Sequence, residues 1–264
     1  MNATMLRGAM VGALFGLSGG CAVEPALVES TPADAPRAAA QAEEEEIPYK
    51  TVKLLIEHNG TDEDTGFQFF ADGEPWKKLQ VRNPRGAVVL TVTPQGKLKD
   101  LGLTEMFFET NEPPNSEVPI PEVLSNLPAG MYEFEGVTID GIELDGEAML
   151  SHRIPAPPVV TAPTGSNVGH DQDQLISWKP VTTAIHGGRT ATVTHYQVIV
   201  NKVDQVPGPR FGAETLSVHV PASITKMKIP AEFLLPSTNY EWEVMAIEAN
   251  GNQTFSTGFF TTGS

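Results

Sequence analysis

The last hundred or so residues carry aromatic side chains at the positions that two packed β-sheets require, and this pattern restricts the fold more than any other. Trp178 closes the run Leu175-Ile176-Ser177-Trp178, Tyr196 opens the next, and Leu234-Leu-Pro-Ser-Thr-Asn-Tyr240 leads into a third. Apolar residues alternate at Tyr196, Val198 and Val200, and again at Tyr240, Trp242, Val244 and Ala246. A period of two places such side chains on one face of a strand. They are therefore expected to line a single core opposite Trp178, with Leu234 beside them. Strands are predicted over 159–161, 174–178, 192–200, 215–220, 225–229, 240–246 and 254–260, joined by links of Gly, Pro, Asn and Asp.

The same density of short runs begins upstream near Tyr49. Val52–Ile56, Phe67–Phe70, Leu79–Val81, Val88–Val92 and Met131–Phe134 read as strands, and 137–144 with 147–152 as a hairpin turning at Asp145-Gly146. Leu103–Phe108 is ambiguous between helix and strand, and 120–127 reads as one short helix. So many strands in roughly a hundred residues indicate an all-β sandwich rather than an α/β unit. Ile154-Pro-Ala-Pro-Pro158 is stiff and lacks amide protons at its prolines, which marks a boundary. The expectation is an all-β chain of two tandem, immunoglobulin-like β-sandwich domains, at 48–155 and 157–262.

The composition sets outer limits. A net charge of −16 and a pI near 4.7 repel nucleic acid and anionic bilayers, so neither is expected as the main partner. At the N-terminus, Arg7 precedes the short apolar stretch 8–17, then Ser18, Gly19, Gly20 and Cys21, the one cysteine of the chain. The stretch is too short to span a bilayer. Residues 1–20 thus read as an export signal, and 21–47, with Pro25, Pro32, Pro36 and Glu43–Glu46, as a flexible acidic tether. This end resembles a bacterial lipoprotein signal. The resemblance implies a lipid on Cys21, attachment to the membrane and a periplasmic, envelope-bound location; the alternative is an ordinary cleaved signal.

Residues 157–262 resemble a fibronectin type III domain, through the proline-rich start, Trp178 in the second strand, Tyr196 in the third and the L-x-P-x-T-x-Y run ending at Tyr240. The resemblance implies that Tyr240 forms the tyrosine corner of that fold. Its loops at 165–173, 184–189 and 204–211 look extended. Residues 48–155 resemble an uncharacterised domain that precedes such modules in exported bacterial proteins, through Ile56-Glu-His-Asn-Gly-Thr-Asp-Glu-Asp-Thr-Gly66, Asp72-Gly-Glu-Pro-Trp76 and Gly130-Met-Tyr132. That resemblance implies location and layout, without a chemistry.

Chemistry has one main local candidate. Glu57, Asp62 and Asp64, with Asp72 and Glu74 beyond Phe67–Phe70, would converge if the intervening strand turned back on itself. Crowded carboxylates repel one another, and calcium takes six to eight oxygens from such groups. The spacing is not that of an EF-hand, since position twelve of that frame is Gly73. The plainer alternative is a solvated acidic loop in which Gly66 makes a tight turn. His58 and His152 flank apolar strands and, with a carboxylate such as Glu57 or Asp62, would form a metal site or a catalytic base. No HExxH, G-x-S-x-G or phosphate-binding glycine loop supports a catalytic assignment, so no catalytic residue is assigned. Trp76 is read as a core residue, the alternative being a sugar-stacking platform.

The functional expectation is a non-enzymatic exported envelope protein presenting a binding or scaffolding surface to an envelope protein or a surface polysaccharide. The alternatives are a calcium-stabilised carbohydrate-binding module and a metal-dependent hydrolase centred on His58 and His152.

Overall fold

The computed structural model describes residues 46–185, 188–203 and 215–264. Residues 1–20, read above as an export signal, Cys21 and nearly all of the expected tether lie outside the described residues, as does the 204–211 loop. In the first half the elements are β1 (Glu46–Pro48), β2 (Thr51–Asn59), β3 (Asp64–Arg82), β4 (Val88–Val92), α1 (Gly96–Leu101), β5 (Leu103–Glu109), α2 (Ile120–Ser125), β6 (Gly130–Thr138) and β7 (Glu143–Leu150). The second half contains β8 (Val159–Ala162), β9 (Gly165–Val168), β10 (Gln174–Lys179), β11 (Val193–Lys202), β12 (Thr215–Pro221), β13 (Lys226–Ile229), β14 (Asn239–Glu248) and β15 (Gln253–Thr262). The fold is all-β, and each half is a sandwich with its own core.

β3 organises the first sandwich. Phe67–Phe70 and Leu79–Val81, read as separate strands in the sequence, belong to one 19-residue strand that runs straight through Gly73-Glu-Pro75. Its first half pairs with β2 and β5, and its second half with β4 and β6. The register slips on either side of Trp76, against β5 between Asp72 and Trp76 and against β6 between Trp76 and Lys78. Such bulges accommodate a proline that cannot donate to the ladder while the strand continues. They also rotate Trp76 inward, where it is fully buried with Phe67, Phe69, Leu79, Val81, Tyr132 and Phe134.

The hairpin of this half differs from the sequence expectation. β6 turns into β7 at 139–142, where Gly141 adopts φ +93°, and Asp145-Gly146 lies inside β7. Both Asp-Gly pairs carry the same turn signal, and packing distinguishes them. A Cβ on Gly146 would sit 3.2 Å from Val52, so the absent side chain there makes room for Val52 of β2 rather than for a turn.

In the second sandwich, β8, β10 and β13 form a three-stranded sheet facing the ribbon β12-β11-β14-β15. This is the fibronectin type III-like arrangement. Trp178 packs edge-on against Tyr196 with centroids 5.3 Å apart, and the Tyr196 hydroxyl accepts the Val181 N–H at 2.8 Å. Tyr240 is fully buried; its hydroxyl accepts from Leu235 N–H at 2.7 Å and donates to the Phe233 carbonyl at 3.1 Å, which is the tyrosine-corner geometry. Leu234 and Trp242 complete the same core. β9 is an additional strand inside the 165–173 loop, pairing in parallel with β15.

The two sandwiches share a sheet. β15 pairs with β14 on one side and, in parallel, with β2 on the other, matching Gln253 with Glu57, Thr254 with His58 and Phe255 with Asn59. The result is a continuous 12-stranded sheet. Asn252, fully buried, closes this seam: its side-chain carbonyl accepts the Ile56 N–H at 2.9 Å, and its amide donates to the carbonyls of Ser151 and Arg153 at 2.6 and 2.8 Å. The proline linker is fastened too, with Thr254 Oγ1 donating to the Pro155 carbonyl at 2.7 Å and Ala156 N–H to the Thr183 carbonyl at 2.8 Å.

Removing one buried partner leaves groups without water or a replacement, at about 1–3 kcal/mol for each orphaned group. Asn252→Ala is therefore expected to destabilise the chain by roughly 2–4 kcal/mol and to uncouple the two halves. Denaturant unfolding should become biphasic; a single transition at the wild-type midpoint would contradict the role given to Asn252.

Candidate functional site

Beside the seam, strand alternation brings several polar side chains to the outer face of the sheet. Glu57 on β2 lies opposite Gly66 of β3 and Gln253 of β15, and Gln68 of β3 lies opposite Glu109 of β5. The chain leaving β5 folds back so that Glu112 covers Gly66, where a Cβ would sit 2.6 Å from the Glu112 Cγ. Gly66 therefore makes room for a carboxylate within a strand and forms no turn. Oxygens of Glu57, Glu109 and Glu112 lie within 4.8 Å of one another. Glu57 is only 2% exposed and is bonded by the Gln253 amide, which also donates to Gln68 Oε1 at 3.1 Å; Gln68 in turn donates to Glu109 at 3.0 Å.

Burial is the main cause of the electrostatics. It pushes the Glu57 carboxyl up to about 8, with the charges of Glu109 and Glu112 adding to the rise and the two glutamine amides opposing it. Glu112 is also raised to about 8, first by burial and then by Glu109 and Asp64. Asp64 rises to about 6 through burial and the neighbouring Asp62 and Glu109. A second acidic group adjoins on β14, where burial, Glu241 and Asp62 lift Glu243 to about 7. At neutral pH the trio can hold shared protons, or it can hold a hard cation through carboxylate oxygens from three separate segments.

The acidic residues singled out in the sequence are distributed differently from the convergence envisaged for them. Glu57 belongs to the trio and Asp64 stands beside it. Asp62 lies in the β2–β3 turn, which Asn59 closes by accepting the Thr61 and Asp62 N–H groups, and it accepts from Asn59 Nδ2 at 3.0 Å. Asp72 lies on β3 opposite Thr51 and Glu105, roughly 20 Å along the strand from Gly66 at about 3.4 Å per residue. Glu74 pairs with Lys50 at 3.4 Å. β3 does not turn back, so Asp72 and Glu74 stay apart from Glu57. Glu109 and Glu112 were missed because their approach depends on the pairing of β5 with β3; the cue was the Glu109-Thr-Asn-Glu112 spacing just after a candidate strand.

The histidines do not join this site. His58 alternates with Glu57 to the opposite face of β2 and meets Thr65 Oγ1 at 2.9 Å. His152 is bonded through Nε2 to the Leu127 carbonyl at 2.8 Å; a carbonyl can only accept, so Nε2 carries the proton. The carboxylate trio contains neither of them. Trp76, Trp178 and Trp242 are each at most 3% exposed, so no indole face is open to stack on a sugar.

No family model matches the chain, and no curated protein matches it. Solved structures do. One is the crystal structure of the chicken CNTN1 FN1–FN3 domains, 12% identical, with a TM-score of 0.32, covering 83% of this chain and 66% of that one. Another is a computationally redesigned β-sandwich protein, 23% identical with a TM-score of 0.27, covering 41% of this chain and 96% of its own. The chain thus spans just under two thirds of the first of these structures. The fibronectin type III-like assignment rests on the strand order and the tyrosine corner described above.

The raised carboxyls fix the sign of the pH response. The folded chain binds more protons than the unfolded one between about pH 4.5 and 8, so stability falls as pH rises through that window. The loss is expected to be on the order of 2–4 kcal/mol, allowing for coupling within the trio. Glu57→Gln should flatten the dependence and raise the melting temperature at pH 8. Melting curves across pH 5–8.5 test this, and an unchanged slope in the variant would contradict it.

Proposed function

We propose that this chain is a non-enzymatic protein of the bacterial cell envelope, exported and held by a lipid on Cys21, that presents a binding or scaffolding surface to an envelope protein or a surface polymer. The fibronectin type III-like sandwich supports the coarser part of this reading, a binding or scaffold module. The observation that carries it is the continuous sheet. Two sandwiches joined only by a proline linker would move independently, whereas strand pairing through β2 and β15 makes one stiff double module with an uninterrupted outer face. A stiff module displays a surface with little ordering entropy lost on binding. The acidic tether read from the sequence would set that module off from a membrane. Replacing Cys21 by Ser is expected to move the protein from the membrane fraction to the soluble fraction, and unchanged membrane retention would overturn the anchoring.

A second reading is favoured by the Glu57–Glu109–Glu112 trio, in which calcium replaces the shared protons and stabilises the seam. Ligand present at a hundred times its dissociation constant stabilises by about 2.7 kcal/mol, a rise of several degrees for a folded region of this size. Calcium should raise the melting temperature at pH 8 in the wild type but not in Glu109→Gln. Equal curves with calcium and with a chelator would remove the reading.

A further inference from the structure

A second cleft, of about 980 Å³, lies between the end of β7 and the segment that leads into β11. Ser151, His152 and Arg153 of the first sandwich form one wall, and Arg189, Thr190 and Thr192 of the second form the other. In a chain with 33 acidic and 17 basic residues, the lining contains no carboxylate.

One guanidinium is fixed before any ligand arrives. Glu248, the last residue of β14, has a fully buried side chain that pairs with Arg153 Nε, and its Oε1 also accepts the Thr192 N–H at 3.3 Å. Asn250 and Asn252 both bind the Arg153 carbonyl at 2.8 Å. The Arg153 side chain is still 39% exposed, and its Nη groups have no partner among the described residues. Arg189 is exposed, and its guanidinium has neither an ion pair nor a hydrogen bond among the described residues. The buried carboxylate thus braces Arg153 and offsets its charge while its outer nitrogens remain available, and Arg189 supplies the uncompensated positive charge of the lining.

We propose that this cleft binds a multiply charged oxyanion, with phosphoryl or carboxylate groups taken by Arg153 and Arg189 and supported by the hydroxyls of Ser151, Thr190 and Thr192. Guanidinium forks match such groups in pairs of hydrogen bonds, and hydroxyls add neutral donors. The volume exceeds that of one inorganic ion, which favours a ligand with more than one charged group. The overall charge of −16 repels anions at long range, but at about 0.15 M salt this repulsion is screened beyond roughly 8 Å. The groups inside the cleft then dominate. The inference is independent of export, anchoring and the carboxylate trio.

The test is calorimetric titration of the full-length chain with tripolyphosphate and, separately, with citrate, at about 0.15 M salt. Saturable binding of at least one probe is expected. Arg189→Gln should weaken it roughly ten-fold or more with an unchanged melting temperature, because the Arg189 side chain holds no partner among the described residues and its backbone bond to Ala184 is kept. Arg189→Lys should weaken it less, and Arg85→Gln, in the exposed turn between β3 and β4, should not change it. Preference for tripolyphosphate would assign phosphoryl ligands, and preference for citrate carboxylates. Absence of binding to both probes at millimolar concentration overturns the proposal, as does binding that survives Arg189→Gln or falls equally in Arg85→Gln.

Discussion

The parallel pairing of β2 with β15 is the contact on which the rest of the architecture depends. It spans only three residue pairs, too few to hold two domains together by ladder bonds alone at about 0.5–1.5 kcal/mol each. Side chains reinforce it. Asn252 satisfies the Ile56 amide and the carbonyls of Ser151 and Arg153 just after β7, Thr254 holds Pro155, and Thr61 Oγ1 accepts the Thr257 N–H at 2.8 Å. Each of these groups would be costly to bury unpaired, so the sandwiches stay together partly because separation would have to break several buried bonds at once.

The junction contributes to both the carboxylate trio and the arginine cleft. Gln253 reaches Glu57 only when β15 lies beside β2, and Arg153 meets Glu248 only when the linker is drawn across the end of β14. The first places like charges together in a buried setting and raises their proton affinity. The second uses a buried carboxylate to hold a cationic group whose outer nitrogens remain available. The trio itself belongs to the first sandwich and gains only Gln253 from the second, whereas the Arg153–Glu248 pair needs both.

The fold was legible in the sequence wherever a signal was local. Tyr196, Tyr240 and Trp242 alternate within single strands, and the strands of the second half fall where that alternation puts them. Leu103–Phe108 remained ambiguous because its period is imperfect; pairing with β3 resolves it as a strand. Other features depend on neighbours that the sequence does not list side by side. Asp140-Gly141 and Asp145-Gly146 are equivalent as turn signals until Val52 is known to pack over the second. Phe67–Phe70 and Leu79–Val81 read as two strands, yet paired bulges carry one strand through Pro75. Glu109 and Glu112 drew no attention because they are some fifty residues from Glu57 in the chain, and only sheet register brings them together. Asp72 and Glu74 drew attention by sequence proximity, which an extended strand turns into distance.

The parallel sense of the seam also determines how the protein carries mechanical load. A pull directed toward the N-terminal end of β2 and an opposing pull on the C-terminal end of β15 act along the two strands in opposite directions. The seam bonds are then loaded lengthwise and together, rather than opened one after another from an end. A module tethered at its N-terminus and gripped near its C-terminus would meet tension in shear, with Asn252 and Thr254 sharing the force with the backbone.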